Sequence, residues 1–269
     1  MKNIKKFVIV LFTIICFSEL IFSAIKQISG VPYIHQVYDT PNWFDGHWAC
    51  GATSAMMVIS YYKVLPYWDC TVSNPYSHVS HYGRYICEIY TFNGVTYNYG
   101  SADPNGTIAY GGYGYITRNN WADTKGYMRD YFKNHKFPDS YVDWSPSFSK
   151  LKSEINAGRP FVLLNSLTSA GHYIATIGYF DNQYTGVFND PYGNKNTPGY
   201  PSYDGAGARY DWPGYNNGYK NLNAVHCFIY ARGYTGGSPP SAPTLVSPSN
   251  GATGIGLTPT LDWNAASGA

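Results

Sequence analysis

The chain has 269 residues, enough for one large domain or for one domain and part of another. Only 13% of the residues are charged, the formal net charge is +2, and 18% are aromatic, with 28 Tyr and 28 Gly. This composition excludes the clustered Lys and Arg of a nucleic-acid-binding surface, so we expect no nucleic-acid partner. A Tyr- and Gly-rich chain with so few charges suits a secreted protein.

The segment formed by residues 1–24 predicts a cleaved signal peptide. Three lysines within the first six residues precede an apolar run from Phe7 to Phe17, and Ser23-Ala24 offers a cleavage point. Glu19 follows that run, which argues against a transmembrane helix of about 20 residues. We therefore expect a secreted or cell-surface protein without further membrane contact, and an uncleaved anchor is the alternative.

Composition divides the remaining chain into three parts. We expect one domain over residues 25–235, a Pro/Gly/Ser linker over 236–242 and a truncated segment over 243–269. In that last segment, Thr244–Val246 and Thr260–Trp263 are predicted strands, too few to bury a sandwich core. The segment resembles the opening of a fibronectin type III-like or Ig-like bacterial surface domain, which implies attachment to the cell surface.

The main domain passes from helical spacing to β spacing, an α+β order. A Tyr/Gly-rich insertion at about 66–120 lacks sustained periodicity, and we expect one hairpin near Ile89–Tyr99. The first helix should have one apolar face. The predicted helices are Cys50–Lys63, Asp123–His135 and Ser147–Ala157, and the predicted strands are Phe161–Leu164, His172–Tyr179, Thr185–Asn189 and Val225–Tyr230.

Cys50 is the candidate nucleophile of the chain. It falls at the start of a predicted helix, where Gly51 and Ala52 leave its sulfur accessible. Unpaired backbone N–H groups and the positive end of the helix dipole stabilise a thiolate at such a position. A buried structural cysteine is the alternative for a thiol considered alone, so the hypothesis depends on a base elsewhere in the chain.

We expect structural roles for the other cysteines. The separation of Cys70 and Cys87 suits a loop-closing disulfide in an exported chain, and Cys227 lies in an apolar run that indicates a buried strand. Cys70, His78, His81 and Cys87 are also a candidate zinc set, but zinc sites have more closely spaced cysteine pairs. We therefore expect no metal.

His172 and Asp190 are the candidate base and its orienting group. His172 opens a predicted strand, Asp181-Asn182 is a turn signal, and the chain returns as a strand towards Asp190. A hairpin that turns at residue 181 pairs His172 directly with Asp190 on one face. A carboxylate beside an imidazole selects its tautomer and stabilises the imidazolium that a thiolate requires.

Four short motifs occur in order and carry a family resemblance. They are Trp48–Ser54, Gly158–Pro160, Gly171–Tyr179 and Asn189–Gly193. Together they resemble the signature of the C39-like peptidases, in the papain-like cysteine peptidase superfamily. The segment Val31–Gln36 is similar to the N-terminal motif of that family, and the resemblance extends from Val31 to Tyr234 without accounting for the insertion.

The resemblance implies a two-lobed, papain-like cysteine peptidase that needs no cofactor. Cys50 would be the nucleophile, His172 the general base and acid, and Asp190 the orienting residue. The Gln36 side chain and the Cys50 backbone N–H would donate to the oxyanion, although 14 positions separate the two residues, a long loop compared with papain-type enzymes.

The leading interpretation is therefore an exported bacterial cysteine peptidase that hydrolyses peptide bonds in a peptide or protein substrate. Two alternatives stay open. One is a non-catalytic surface-binding or adhesion module on the same fold. The other is a cysteine amidase or acyltransferase that acts on wall peptides, because the same thiolate chemistry serves each of these reactions.

Overall fold

The computed structural model describes residues 25–180 and 183–236, together with 245–248, 253, 258, 260 and 262–263. The predicted signal peptide, the Asp181-Asn182 turn and most of the predicted linker lie outside the described residues. Within those ranges, no helix is both long enough and apolar enough to cross a membrane.

The described residues form five helices and fifteen strands. The helices are α1 (Cys50–Tyr61), α2 (Gly83–Cys87), α3 (Gly111–Trp121), α4 (Thr124–Asn134) and α5 (Phe148–Asn156). The strands are β1 (Ile25–Gln27), β2 (Cys70–Val72), β3 (His78–Ser80), β4 (Thr91–Phe92), β5 (Val95–Thr96), β6 (Ser101–Ala102), β7 (Ile108–Ala109), β8 (Tyr141–Asp143), β9 (Phe161–Asn165), β10 (His172–Phe180), β11 (Thr185–Asn189), β12 (Ala208–Asp211), β13 (Val225–Tyr230), β14 (Leu245–Ser247) and β15 (Asp262–Trp263).

A seven-stranded antiparallel sheet organises the domain. Its order is β12-β11-β10-β9-β13-β8, and β1 pairs with the far end of β10. Consecutive strand residues point to opposite faces. Val162 and Ala175 pack with the core that includes α1 to α4, whereas Leu163 and Ile174 pack with α5. Helices therefore cover both faces, and the predicted α+β class is confirmed.

The helix α1 begins at Cys50 as predicted and ends two residues early, at Tyr61. The expectation of one apolar face is wrong, because every residue from Gly51 to Ser60 is buried. Small and apolar side chains lie on all sides of the helix, which packs between the sheet and the helices α3 and α4. Cys50 is thereby held at the end of a rigid element.

The predicted second and third helices correspond to α4 and α5. At the start of α4, the Asp123 carboxylate accepts the N–H of Gly126 at 2.9 Å. At the start of α5, the Ser147 hydroxyl accepts the N–H of Lys150 at 3.2 Å. These are N-caps, which satisfy N–H groups that have no partner within the helix.

The insertion contains more regular structure than its sequence indicates. The hairpin predicted near Ile89–Tyr99 is present as β4 and β5. The helices α2 and α3 and two further hairpins, β2–β3 and β6–β7, were not predicted. Buried aromatic groups join the insertion to α4: the Tyr90 hydroxyl lies 2.6 Å from that of Tyr131 and 3.0 Å from Nε2 of His135. Burial lowers the pKa of His135 to about 4, so this cluster is neutral.

The disulfide that the Cys70–Cys87 spacing suits is not formed, because both residues are free thiols. Cys70 lies on β2, whereas Cys87 ends α2 with its sulfur 3.8 Å from the Gly83 carbonyl. Cys227 is buried in β13, as predicted. In the C-terminal segment, the two predicted strands are present as β14 and β15, which pair antiparallel. The resemblance of that segment to a surface domain stays a prediction.

Candidate active site

Cys50 lies at the N-terminus of α1, facing a cleft. The residue before it, Ala49, provides no side-chain cap, so the N–H groups of the first turn stay available at this end of the helix. The Ser54 hydroxyl donates to the carbonyl of Tyr173 at 3.1 Å and joins α1 to β10 one residue from His172. Gly51 permits this approach, since a Cβ there would lie 3.2 Å from the Tyr173 ring.

His172 and Asp190 form a buried pair at one end of the β10–β11 ladder. Nε2 of His172 lies 2.7 Å from Oδ1 of Asp190. At the His172 end the predicted register is wrong by two residues, because Ala175 faces Asn189; beyond the bulge between Thr176 and Gly178 it is wrong by three. An even shift keeps both side chains on one face, so Asp190 meets His172 diagonally.

The electrostatics of the site favour an imidazolium at His172. Burial lowers its pKa, but the charge and the hydrogen bond of Asp190, followed by the interaction with Cys50, outweigh burial and raise the pKa of His172 to about 10. Since Nε2 faces Asp190, Nδ1 is the nitrogen left for the Cys50 sulfur. The three predicted residues are therefore brought together, and their catalytic roles stay predictions.

Three tyrosines around Asp190 and His172 were not identified from the sequence. The Tyr210 hydroxyl donates to Oδ2 of Asp190 at 2.7 Å, and the Tyr192 backbone N–H donates to Oδ1 at 2.9 Å. The Tyr200 hydroxyl lies 3.2 Å from Nε2 of His172. Burial and the charge of Asp190 raise the pKa of Tyr210, which therefore remains a donor. Nothing in the spacing of 28 tyrosines distinguishes these three.

Gln36 lies in the same cleft, but its amide is already engaged. Nε2 donates to the carbonyls of Gly46 at 2.9 Å and His47 at 2.8 Å. Because both carbonyls accept from Nε2, they determine the orientation of the Gln36 amide. The other amide atom, Oε1, is buried without a partner among the described residues. These two bonds therefore hold the loop between Gln36 and Cys50 against the Gln36 side chain. Donation to an oxyanion requires Gln36 to release one carbonyl.

The cleft around Cys50 and His172 has a volume of about 860 Å³. One wall is formed by the insertion and the residue that follows it: Ala102–Asn105, at the end of β6 and in the β6–β7 turn, and Asn120-Trp121 at the end of α3. The position of the insertion, which the sequence left open, is thus beside the candidate nucleophile. In the described ranges, no group of three His, Cys, Asp or Glu side chains is arranged to hold a metal ion.

Comparison with known families agrees with the sequence resemblance. The model of the Peptidase_C39 like family matches residues 28–224, well over half of the chain, and this span includes Cys50, His172 and Asp190. No curated protein and no solved structure gives a match at the threshold of the comparison. The family indicates a cysteine peptidase-like function, and the chain belongs to the Peptidase_C39 like family.

Proposed function

We propose that this chain is an exported cysteine peptidase that hydrolyses peptide bonds through an acyl-enzyme on Cys50. One observation carries the proposal: Cys50 and His172 line the same cleft, and the His172 imidazole is bonded through Nε2 to a buried carboxylate. This is the arrangement of nucleophile, base and orienting group that activates a thiol. Family membership supports the same reaction class.

The first half of the reaction forms the acyl-enzyme. The Cys50 thiolate attacks the peptide carbonyl carbon, and the π electrons of the C=O bond move to the oxygen. When the tetrahedral intermediate collapses, the C–N bond breaks and the His172 imidazolium gives its proton to the departing nitrogen. The products of this half are a thioester on Cys50, a free amine and a neutral His172.

The second half releases the acyl group to water. Neutral His172 takes a proton from a water molecule, whose oxygen attacks the thioester carbon. The C–S bond then breaks, which returns the electron pair to sulfur and restores the thiolate–imidazolium pair. Asp190 holds the imidazole through Nε2 in both halves and stabilises its charged form.

The oxyanion of each intermediate needs donors in the cleft. The Cys50 backbone N–H, in the first turn of α1, is the first candidate donor. Gln36 is the second, after one of its two carbonyl bonds is released. One such donor is worth about 3 kcal/mol of transition-state stabilisation.

The arrangement of the chain supports a papain-like division into two lobes. The helices α1, α3 and α4 would form the lobe that carries Cys50, and the antiparallel sheet would form the lobe that carries His172 and Asp190. Export through residues 1–24 and surface attachment through residues 243–269 complete the proposal on sequence grounds.

The proposal is tested by incubating the protein with a pool of unlabelled peptides and identifying new termini by mass spectrometry. We expect cleavage by the unmodified protein and a loss of at least about 10⁴-fold for Cys50→Ala. Cys70→Ala, which removes a free thiol outside the cleft, is the matched control and should cleave normally.

Full cleavage by Cys50→Ala would contradict the proposal. Transfer of the acyl group to an added amine, without release to water, would favour the acyltransferase alternative. A protein that binds peptides and leaves them intact would favour the binding module.

A further inference from the structure

We propose that Asp103 determines substrate specificity by binding the cationic side chain of a Lys or Arg residue close to the scissile bond. This inference rests on the proposed peptidase function and names the substrate class of the same cleft. It assigns a role to the insertion, whose β6–β7 turn brings Asp103 into the cleft wall beside Cys50 and His172.

The first supporting observation is the rigid placement of Asp103. Its Oδ1 accepts the backbone N–H groups of Asn105 at 2.9 Å and Thr107 at 2.8 Å. Its own N–H donates to the Thr107 carbonyl at 2.9 Å, and its carbonyl accepts the N–H of Gly106 at 3.0 Å. The carboxylate is therefore held by the turn on one side only, through a single oxygen.

The second observation is that the other oxygen of Asp103 has no partner. Asp103 is only 6% exposed, and its Oδ2 is buried without a hydrogen-bond donor among the described residues. An unpaired buried carboxylate oxygen raises the free energy of the folded protein, because it has lost its hydrogen bonds to water and has no protein donor in their place. A charged donor that enters the cleft with the substrate and displaces the atoms covering Oδ2 would supply the missing bond.

The third observation concerns proximity to the reacting centre. Asp103 and Cys50 line the same cleft, and after burial the charges of both raise the pKa of the Tyr113 hydroxyl. That hydroxyl is itself buried without a partner in the described part of the chain. A substrate group that approaches Asp103 is thus close to Cys50.

The charge pattern of the cleft favours a single basic contact. Among its lining residues in the described ranges, Asp103 is the only carboxylate and Lys125 the only lysine or arginine. Asp45 does not line the cleft and already accepts the side-chain N–H of Asn105 at 2.8 Å. Asp103 is therefore the one acidic group that a substrate cation in this cleft can use.

The experiment compares two peptides that differ by one charge. They are alanine pentapeptide amides, acetylated at the N-terminus, with a central Lys or a central norleucine, which has the same straight side chain without the ammonium group. Binding is measured on the full chain carrying Cys50→Ala, so that no peptide is consumed. The readout is the fluorescence of Trp48 and Trp121, which both line the cleft.

We expect the Lys peptide to bind at least about tenfold more tightly than the norleucine peptide. Adding Asp103→Asn should bring the two affinities within about twofold, because asparagine keeps the oxygen that accepts the turn N–H groups and loses the charge. The matched control is Asp45→Asn, which removes a neighbouring carboxylate from outside the cleft lining and should preserve the preference.

Equal affinities in the Cys50→Ala protein, a preference that survives Asp103→Asn, or an equal loss in Asp45→Asn would each overturn the assignment. A different result would contradict the proposed peptidase function. If the unmodified protein prefers the Lys peptide through Asp103 and never cleaves it, the binding site stands and the peptidase assignment does not.

Discussion

The substitution Asp190→Asn isolates the charge of the buried carboxylate. Asp190 is fully buried and accepts bonds from His172, from the Tyr192 backbone N–H and from the Tyr210 hydroxyl. Asparagine has nearly the same shape. Its oxygen can still accept from His172, and its amide can donate to Tyr210, whose oxygen has free lone pairs. We therefore expect a folded protein that lacks only the charge.

The expected effect follows from the protonation of His172. Burial lowers the pKa of His172, and the charge of Asp190 is the largest influence that raises it, to about 10. Relative to the ordinary value near 6.5, that difference favours the imidazolium by about 5 kcal/mol. Without the charge, we expect the alkaline limb of kcat/KM to move towards neutral pH by more than about one pH unit.

The same reasoning gives the sign of the stability change. Since the pKa of His172 is raised in the folded state, its contribution is fully present below about pH 6.5 and is lost as the pH rises through about 10. Folding stability attributable to this pair should therefore decline over that window in the unmodified protein. In Asp190→Asn the decline should end at a lower pH and be smaller, because only the folded-state pKa of His172 is changed.

The assay is a pH profile of peptide hydrolysis between pH 5 and about 10.5, with the free energy of unfolding from urea titrations at matching pH values. An alkaline limb that does not move in Asp190→Asn would refute the proposed coupling of Asp190 to His172.

Three further predictions concern the supports of the site. Tyr210→Phe removes the 2.7 Å donor from Asp190, and we expect a loss of about 1.5–3 kcal/mol in urea unfolding and a lower kcat at unchanged KM; an unaltered kcat would contradict a positioning role. Gly46→Ala should cost at least about 2 kcal/mol in urea unfolding and slow the alkylation of Cys50, because its φ is +72° and a Cβ would lie 2.1 Å from the Gln36 carbonyl oxygen. Its matched control is Gly94→Ala, with φ +77° and no atom within 4 Å of the new Cβ, which should cost about 1 kcal/mol; equal losses would show that the Gln36 contact is unimportant. Asp123→Ala should lower stability by about 1 kcal/mol through loss of the α4 cap, and an unchanged denaturation midpoint would contradict that assignment.

The sequence predicts the elements that carry local signals. Cys50 begins a helix because small and apolar residues follow it. The helices predicted to begin at Asp123 and Ser147 are present as α4 and α5, and the structure shows that these two residues are their N-caps. The hairpin from β10 to β11 was predicted with an incorrect register. The predicted proximity of His172 and Asp190 was nevertheless correct. Strand side chains alternate with period two, so a shift of two residues leaves both on one face.

The long-range features were beyond a single sequence. Tyr210 reaches Asp190 only because β12 pairs with β11, and β12 itself was not predicted. The insertion has short elements that are stabilised by buried tyrosines around His135, and such contacts leave no periodic pattern in the sequence. The sequence left the Cys70–Cys87 pairing open for the same reason, since sequence separation alone does not determine where the α2 helix places Cys87.

The most direct test of the central claim is the rate at which each thiol of the folded protein is alkylated. Iodoacetamide near neutral pH is followed by peptide mapping. Burial raises the pKa of Cys70 and of Cys87 and raises the pKa of Cys227 to about 11, so these three remain thiols. We expect Cys50 to react at least about tenfold faster than Cys70 and to lose this advantage in His172→Ala. Labelling of Cys50 no faster than that of Cys70, or at an unchanged rate without His172, would contradict the activated thiol.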